Sequence, residues 1–207
     1  MIAILDYGIG NLGAFYNLYS RLNIPVSVVS DSDKLKSASK IILPGVGAFD
    51  WAMSKLHKSG MFDTLNTLVI ENKIPILGVC SGMQLMANRS EEGRLPGLSW
   101  IDGEVVSINA SSKDSRVILP HMGWNDVIIT KNSGLFVGME SSRYYFLHSF
   151  YFKARLDSDV LAVTDYGSQF PAAIGRSNIF GVQFHPEKSH SWGIKLLKNF
   201  AEMKFGA

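Results

Sequence analysis

The single cysteine of this 207-residue chain lies in the run Ile76-Leu77-Gly78-Val79-Cys80-Ser81-Gly82-Met83-Gln84. Apolar residues lead in, a glycine stands two positions to either side of the thiol, and a helix-compatible stretch follows. That is the pattern of a nucleophile elbow, with sulfur where a serine oxygen is usual. Such a turn is tight and strained, so side chains at the flanking positions would crowd the thiol or its target. A helix beginning just beyond it would favour the reactive thiolate. A buried structural cysteine is the plainer alternative, but it does not require glycine on both sides.

A cysteine nucleophile needs a base, and the base needs an acceptor to orient it. Phe180-Gly181-Val182-Gln183-Phe184-His185-Pro186-Glu187 offers both. It reads as a strand ending at the sheet's carboxyl edge, where α/β folds build their sites. Positions i and i+2 of an extended chain face one way, so Glu187 can meet His185 while Pro186 stops the ladder. The remaining need is an oxyanion hole. The backbone N–H of Ser81 is one donor. Pro44-Gly45-Val46-Gly47, on the strand before the elbow strand, can bring a second through Val46 and Gly47.

The elements that would position these groups alternate in the first half of the chain. Strands are expected at Ile2 to Asp6, Val26 to Ser30, Ile41 to Leu43 and Ile74 to Val79. Helices are expected at Asn11 to Leu22, Ala48 to Lys58 and Met61 to Asn72. Strands separated by helices imply βαβ units and a parallel sheet. From Trp100 the texture turns to short β-like runs: Glu104 to Asn109, Val117 to Leu119, Asp126 to Thr130, Tyr144 to Lys153 and Val160 to Asp165. A last strand, Ile179 to Phe184, precedes a helix from Trp192 to Met203, and Asn109 to Ser115 reads as an exposed, mobile loop. The fold class expected is therefore α/β, a mostly parallel central sheet with flanking helices and added antiparallel strands. One domain over residues 1–207 accounts for all of it.

Composition narrows the function. A net charge of +2 gives no electrostatic case for nucleic acid or a membrane surface. Lys34, Lys36 and Lys40 read as solvated residues of a polar connection. One cysteine forms no intrachain disulfide, which fits a reducing, cytoplasmic setting. The first residues lack the basic region of a secretory signal, and no apolar run is long enough for a membrane span. His57, His121 and His190 are not spaced as a metal site, and nothing calls for a metal or cofactor. Gly8-Ile9-Gly10-Asn11-Leu12-Gly13 does match the G-x-G-x-x-G fingerprint, with Asp31 at the end of the next strand. Asp6 beside the glycines would repel a pyrophosphate, so a tight strand–helix turn is preferred over dinucleotide binding.

The combination Gly78-x-Cys80-x-Gly82-x-Gln84 and His185-Pro186-Glu187 resembles the triad (class I) glutamine amidotransferases over nearly the whole chain. Asp6-Tyr7-Gly8, Pro44 to Phe49, Pro120-His121-Met122-Gly123-Trp124-Asn125 and Tyr144 to Ser149 are similar to the glutaminase subunits of imidazole glycerol phosphate synthases. The resemblance implies L-glutamine as substrate and no cofactor. It also implies a heterodimer with a (β/α)₈ cyclase that uses the ammonia in histidine biosynthesis. It makes Cys80 the nucleophile, His185 the base and acid, and Glu187 its orienter. Gly45, Gly47, Gln84, His148, Ser149 and Phe150 would hold the glutamine. The Val46 peptide resembles an oxyanion donor that must turn inward. Trp124, Asn125, Tyr145 and Lys188 would face the partner and the ammonia entrance. Two features depart from the pattern. Ser81 stands where these subunits usually carry leucine. Leu98 to Gly103 is similar to paralogues that supply ammonia to sugar-modifying amidotransferases of surface polysaccharides. That acceptor stays open as the alternative, as do a cysteine peptidase and a noncatalytic binding module.

Overall fold

Four short strands form the centre of the chain because their residues are apolar on both faces. They are β1 (Ile2–Leu5), β3 (Lys40–Leu43), β4 (Ile76–Val79) and β12 (Ile179–Val182), and almost every residue in them is buried. In a strand alternate residues face opposite ways. Ala3, Leu5, Ile41 and Leu43 accordingly enter one apolar cluster, and Ile2, Ile4, Ile42 and Leu77 enter another. The computed structural model describes residues 1–108, 117–140 and 142–205.

Helices α3 (Phe49–Lys58) and α4 (Phe62–Asn66) cover the first face with Phe49, Met53, Leu56 and Leu65. Helices α1 (Leu12–Arg21) and α6 (His190–Glu202) cover the second with Phe15, Tyr19, Leu196 and Phe200. Asn11 caps α1 by accepting from Ala14 N, and Tyr19 Oη donates to Leu197 O across the two helices at 3.1 Å.

With β2 (Val26–Val29), these strands form a parallel block in the order β2-β1-β3-β4-β12. Beyond β12 the nine-stranded sheet continues antiparallel through β11 (Gln169–Arg176), β10 (Val160–Asp165), β7 (His121–Ile129) and β8 (Ser142–His148). A small second sheet joins β5 (Arg89–Ser90), β6 (Gly103–Ser107) and β9 (Phe150–Ala154). The α/β class with added antiparallel strands is thus observed.

Several local expectations change. Tyr144 to Lys153 is two strands rather than one, broken at Ser149 so that β8 and β9 serve different sheets. Val117 to Leu119 is not a strand, β7 begins at His121, and β11 was not anticipated. Met61 to Asn72 is a short α-helix prolonged by a π-helical turn, Thr67–Glu71. Lys40 is not a solvated loop residue: it opens β3, and its Nζ donates to Ala201 O and Met203 O at 2.5 and 2.7 Å, clasping the end of α6. The loop expected at Asn109 to Ser115 lies outside the described residues.

Candidate active site

Cys80 leaves β4 with φ 53° and ψ −114°, the left-handed side of conformational space that a non-glycine residue enters only when its surroundings enforce it. The enforcement is visible. A Cβ on Gly82 would lie 2.0 Å from Leu43 O, and one on Gly78 would lie 2.6 Å from Gly82 O. The elbow is therefore pressed against the end of β3. Its helix, α5 (Ser81–Gln84), is a single turn, so a dipole contributes less than the sequence pattern suggested.

The loop after β3 packs against the elbow from the other side. A Cβ on Gly45 would meet Gly82 N at 2.1 Å, so Gly45 lies behind the elbow and outside the cavity. Gly47 has φ +87°, and its carbonyl accepts from Ser81 Oγ at 2.8 Å. The Ser81 side chain thus pins the loop that follows β3. Pro44 is braced as well: Tyr7 Oη donates to its carbonyl at 2.5 Å, and a Cβ on Gly10 would approach its ring to 2.7 Å. The glycine-rich first turn therefore serves this contact. Asp31 is occupied as the cap of helix α2 (Ser32–Leu35), accepting from Lys34 N at 2.8 Å.

His185 follows β12, beside the elbow, because β12 pairs with β4 and Cys80 N donates to Val182 O at 2.8 Å. Its Nδ1 lies 2.9 Å from Glu187 Oε1, with side-chain exposures of 3% and 2%. Burial alone would push the imidazole down. Hydrogen bonds to Cys80 and Glu187, with their negative charges, outweigh it and carry His185 up to about 10. Glu187 Oε2 finds no hydrogen-bond partner among the described residues, so this carboxylate is committed to the histidine. Ser189 Oγ fixes the backbone between them by donating to His185 O at 2.6 Å and accepting from Tyr145 N at 3.0 Å.

Cys80 and His185 open into a cavity of about 310 Å³ that Val46, Gly47, Ser81, Gln84, His148, Ser149 and Phe150 also line. Its volume suits a small polar metabolite. Gln84 Nε2 donates to Phe150 O at 2.8 Å and to Gln183 Oε1 at 3.2 Å, and Gln183 Nε2 lies 3.8 Å from Cys80 Sγ. Sequence reasoning missed Glu92, which also lines the cavity and caps α3 by accepting from Phe49 N at 2.8 Å. It sits in a polar stretch that reads as an ordinary loop, and only that cap could have drawn attention to it.

Trp124, Asn125, Tyr145 and Lys188 lie outside the cavity. Trp124 stacks on His190 at 5.2 Å and meets Tyr145 edge-on at 6.3 Å, while Lys188 Nζ sits 5.7 Å over the Tyr145 ring. Trp192, 6.5 Å from Trp124, joins this group and was not anticipated. Leu98 to Gly103 folds onto the back of the elbow, with Leu98 N donating to Leu85 O at 2.8 Å and Trp100 N to Met86 O at 3.0 Å. That segment packs behind the Cys80 turn. Among the described residues, no group of three or more His, Cys, Asp or Glu could hold a metal, and no helix is long and apolar enough to cross a membrane.

Comparison with known proteins shows the family and the fold. The family model for glutamine amidotransferase class-I matches residues 3–203. The chain is 53% identical to the imidazole glycerol phosphate synthase subunit HisH of Bdellovibrio bacteriovorus, over 98% of this chain and 100% of that one. It is 50% identical to the subunit of the same name from Leptospira interrogans, with the same coverage of 98% and 100%. The glutaminase domain of Trypanosoma brucei CTPS shares the fold at TM-score 0.66 and 17% identity, covering 99% of this chain and 95% of that one. PurLQS from Thermotoga maritima does so at TM-score 0.71 and 19% identity, with 96% of each chain covered.

Proposed function

Because the chain belongs to the class-I glutamine amidotransferases and its relatives at 50% identity and above are named imidazole glycerol phosphate synthase subunit HisH, we propose that Cys80, His185 and Glu187 hydrolyse L-glutamine for a cyclase partner. The observation that carries the residue assignment is one cavity holding a strained cysteine beside a histidine whose far nitrogen is fixed by a buried carboxylate.

Cys80 sulfur attacks the side-chain carboxamide carbon of glutamine, and the oxyanion is met by backbone N–H groups at Ser81 and in the Val46–Gly47 loop. The imidazolium of His185, held by Glu187, stabilises the anionic sulfur and then gives its proton to the departing nitrogen. Ammonia leaves and a glutamyl thioester remains. Water, deprotonated by the same imidazole, attacks the thioester and releases glutamate and the thiol. Glu92 would receive the α-ammonium of glutamine, and Gln84, Ser149 and Phe150 would hold the rest of its amino-acid end.

Ammonia released into water is largely protonated and no longer nucleophilic, so hydrolysis is productive only when the acceptor site adjoins. The triad draws on β4 and the segment after its neighbour β12, and the first strands complete the sheet on the far side of β4. We therefore treat residues 1–207 as one glutaminase domain. The acceptor chemistry is assigned to a (β/α)₈ cyclase on another chain, docked over Trp124, Asn125, Tyr145 and Lys188. The same reading places the enzyme in the cytoplasm. The test is glutamate release by this chain with the histidine-pathway cyclase of the same cell, with and without the cyclase's nucleotide substrate. Strong stimulation that is lost in Cys80→Ala supports the proposal. No stimulation, with Cys80 still alkylated by a diazo-oxo glutamine analogue, refutes the histidine-pathway acceptor while leaving the glutaminase in place.

A further inference from the structure

A chain of hydrogen bonds runs from Asn125 inward to His148 and Phe150, which line the cavity. Asn125 Oδ1 accepts from Asp126 N at 2.8 Å, so its amide nitrogen is the group that lies 2.8 Å from Asp165 O and 3.2 Å from His121 Nε2. His121 Nδ1 lies 3.0 Å from His148 Nε2, and His148 Nδ1 lies 2.8 Å from Phe150 O. Proton positions on two imidazoles are ordinarily ambiguous. Here both ends settle them. Phe150 O can only accept, so His148 carries its proton on Nδ1 and its Nε2 must accept. His121 therefore donates through Nδ1 and accepts from Asn125 through Nε2, as the orientation of the Asn125 amide independently requires. Every link is satisfied with both rings neutral.

The rings are held where this order is enforced. His121 and His148 are cross-strand partners in the β7–β8 ladder. His121, 3% exposed, is sandwiched between Phe146 at 4.7 Å and Tyr166 at 4.1 Å. Burial pushes His121 down to about 4; burial, His121 and His185 push His148 down to about 3. The last acceptor, Phe150 O, is also the carbonyl that holds Gln84 Nε2.

We propose that His121 is a positioning residue for glutamine binding: by donating to His148 it fixes the His148–Phe150 rim and, through Phe150 O, the amide of Gln84. The inference rests on the reading of this cavity as the glutamine site. Without the His121 donor, His148 Nε2 is left buried and unpaired. The ring regains a partner only by moving its proton or turning, and either breaks the bond to Phe150 O. Because this rim would meet the amino-acid end of glutamine and not the reacting carboxamide, the loss falls on ground state and transition state alike and raises KM without lowering kcat.

The experiment has two parts. Ring ¹⁵N NMR on the full ¹⁵N-labelled chain near neutral pH reads the tautomers directly; Nδ1–H at both His121 and His148 is expected, and Nε2–H at His148 overturns the proposal. Steady-state glutamine hydrolysis is then measured in the complex with the cyclase and its nucleotide. His121→Phe, which keeps the aromatic stack, should raise KM for glutamine about tenfold with kcat within about twofold. His121→Asn, which returns an N–H donor near the Nδ1 position, should recover most of the loss. An unchanged KM in His121→Phe, or a fall in kcat alone, overturns the proposal. If His121→Phe does not fold, the wild-type tautomers decide. A wild-type complex that hydrolyses no glutamine overturns the glutaminase reading instead, and the tautomers, read on the chain itself, distinguish the two failures.

Discussion

Replacing Glu187 by glutamine removes one charge from the site while keeping the shape of the side chain. The carboxylate is almost wholly buried, and Oε1 stands 2.9 Å from His185 Nδ1. Breaking a buried charge pair by removing one partner costs about 3–5 kcal/mol, or about 10²–10⁴ in rate if all of it is felt in the transition state. The whole amount is not expected, because the glutamine amide oxygen can still accept from Nδ1–H. A neutral acceptor gives roughly half the strength of a charged one, so the fall in kcat should be about 10²-fold. The new amide nitrogen would replace Oε2, which has no hydrogen-bond partner among the described residues. That adds a buried unpaired donor worth about 1–3 kcal/mol, visible as a lowered Tm. The assay is initial-rate glutamate release in the complex with the cyclase and its nucleotide, with ammonia-dependent synthesis as the control for an intact partner site. Ammonia-dependent turnover should be unchanged. A glutamine-dependent kcat within about threefold of wild type would show that the carboxylate does not support the imidazolium and would refute the reasoning.

Further outcomes follow from the same geometry. Gly82→Ala puts a methyl group 2.0 Å from Leu43 O, a backbone atom that cannot yield without moving the elbow. Alkylation of Cys80 by the glutamine analogue should be lost or slowed by orders of magnitude; wild-type alkylation rates would mean that the elbow tolerates the shift. Ser81→Ala releases Gly47 O from its 2.8 Å hydrogen bond and should cost about 1 kcal/mol, read as a lower denaturant midpoint at unchanged slope. An unchanged midpoint would show that the bond contributes nothing. The pH dependence of Tm has two limbs of opposite sign. His121 and His148, pushed down from 6.5 to about 4 and about 3, bind fewer protons folded than unfolded, so their contribution is full above 6.5 and is lost as the pH falls through that window. His185, raised from 6.5 to about 10, contributes fully below 6.5 and loses that contribution as the pH rises to about 10. Tm should therefore fall on both sides of near-neutral pH, with a shallower acid limb in His121→Phe; a limb of unchanged slope in that variant would contradict the neutral pair.

The parts of the site legible in the sequence are those whose requirements are local. An elbow needs glycine within two residues of the thiol, and His185 reaches Glu187 across one proline, so both patterns survive in a short window. The central strands were legible because burial on both faces leaves an unbroken apolar run. What was not legible depends on partners far along the chain. Lys40 is polar and looks solvated until its acceptors appear at the end of α6, 161 and 163 residues later. The residues from Tyr144 to Lys153 are β-formers throughout. Their break at Ser149 is set from outside, by β9 pairing with β6 and by Gln84 reaching Phe150 O. β11 carries Pro171, a residue that sequence rules keep out of inner strands, and it lies beyond the β12 pairing, next to a register shift against β10.

The glycine-rich first turn shows why spacing alone does not identify a ligand. G-x-G-x-x-G leaves backbone open to close approach, and what approaches is decided by the element across the turn. Here that element is Pro44. Gly10 leaves room for its ring, Tyr7 donates to its carbonyl, and Asp31 is spent capping α2. The same permissive turn that would seat a pyrophosphate in another sheet here holds one end of the loop proposed to carry the oxyanion donor, whose other end is pinned by Ser81 at Gly47. Val46, 41% exposed between those two anchors, is left as the part of the loop with freedom to turn. If that freedom is what the partner controls, Tyr7→Phe and Ser81→Ala should each raise partner-independent glutamate release by about the fivefold that loss of one hydrogen bond of about 1 kcal/mol allows, and a double variant should raise it further. Unchanged basal rates in all three would mean that the anchors brace the fold and leave the oxyanion peptide ungoverned.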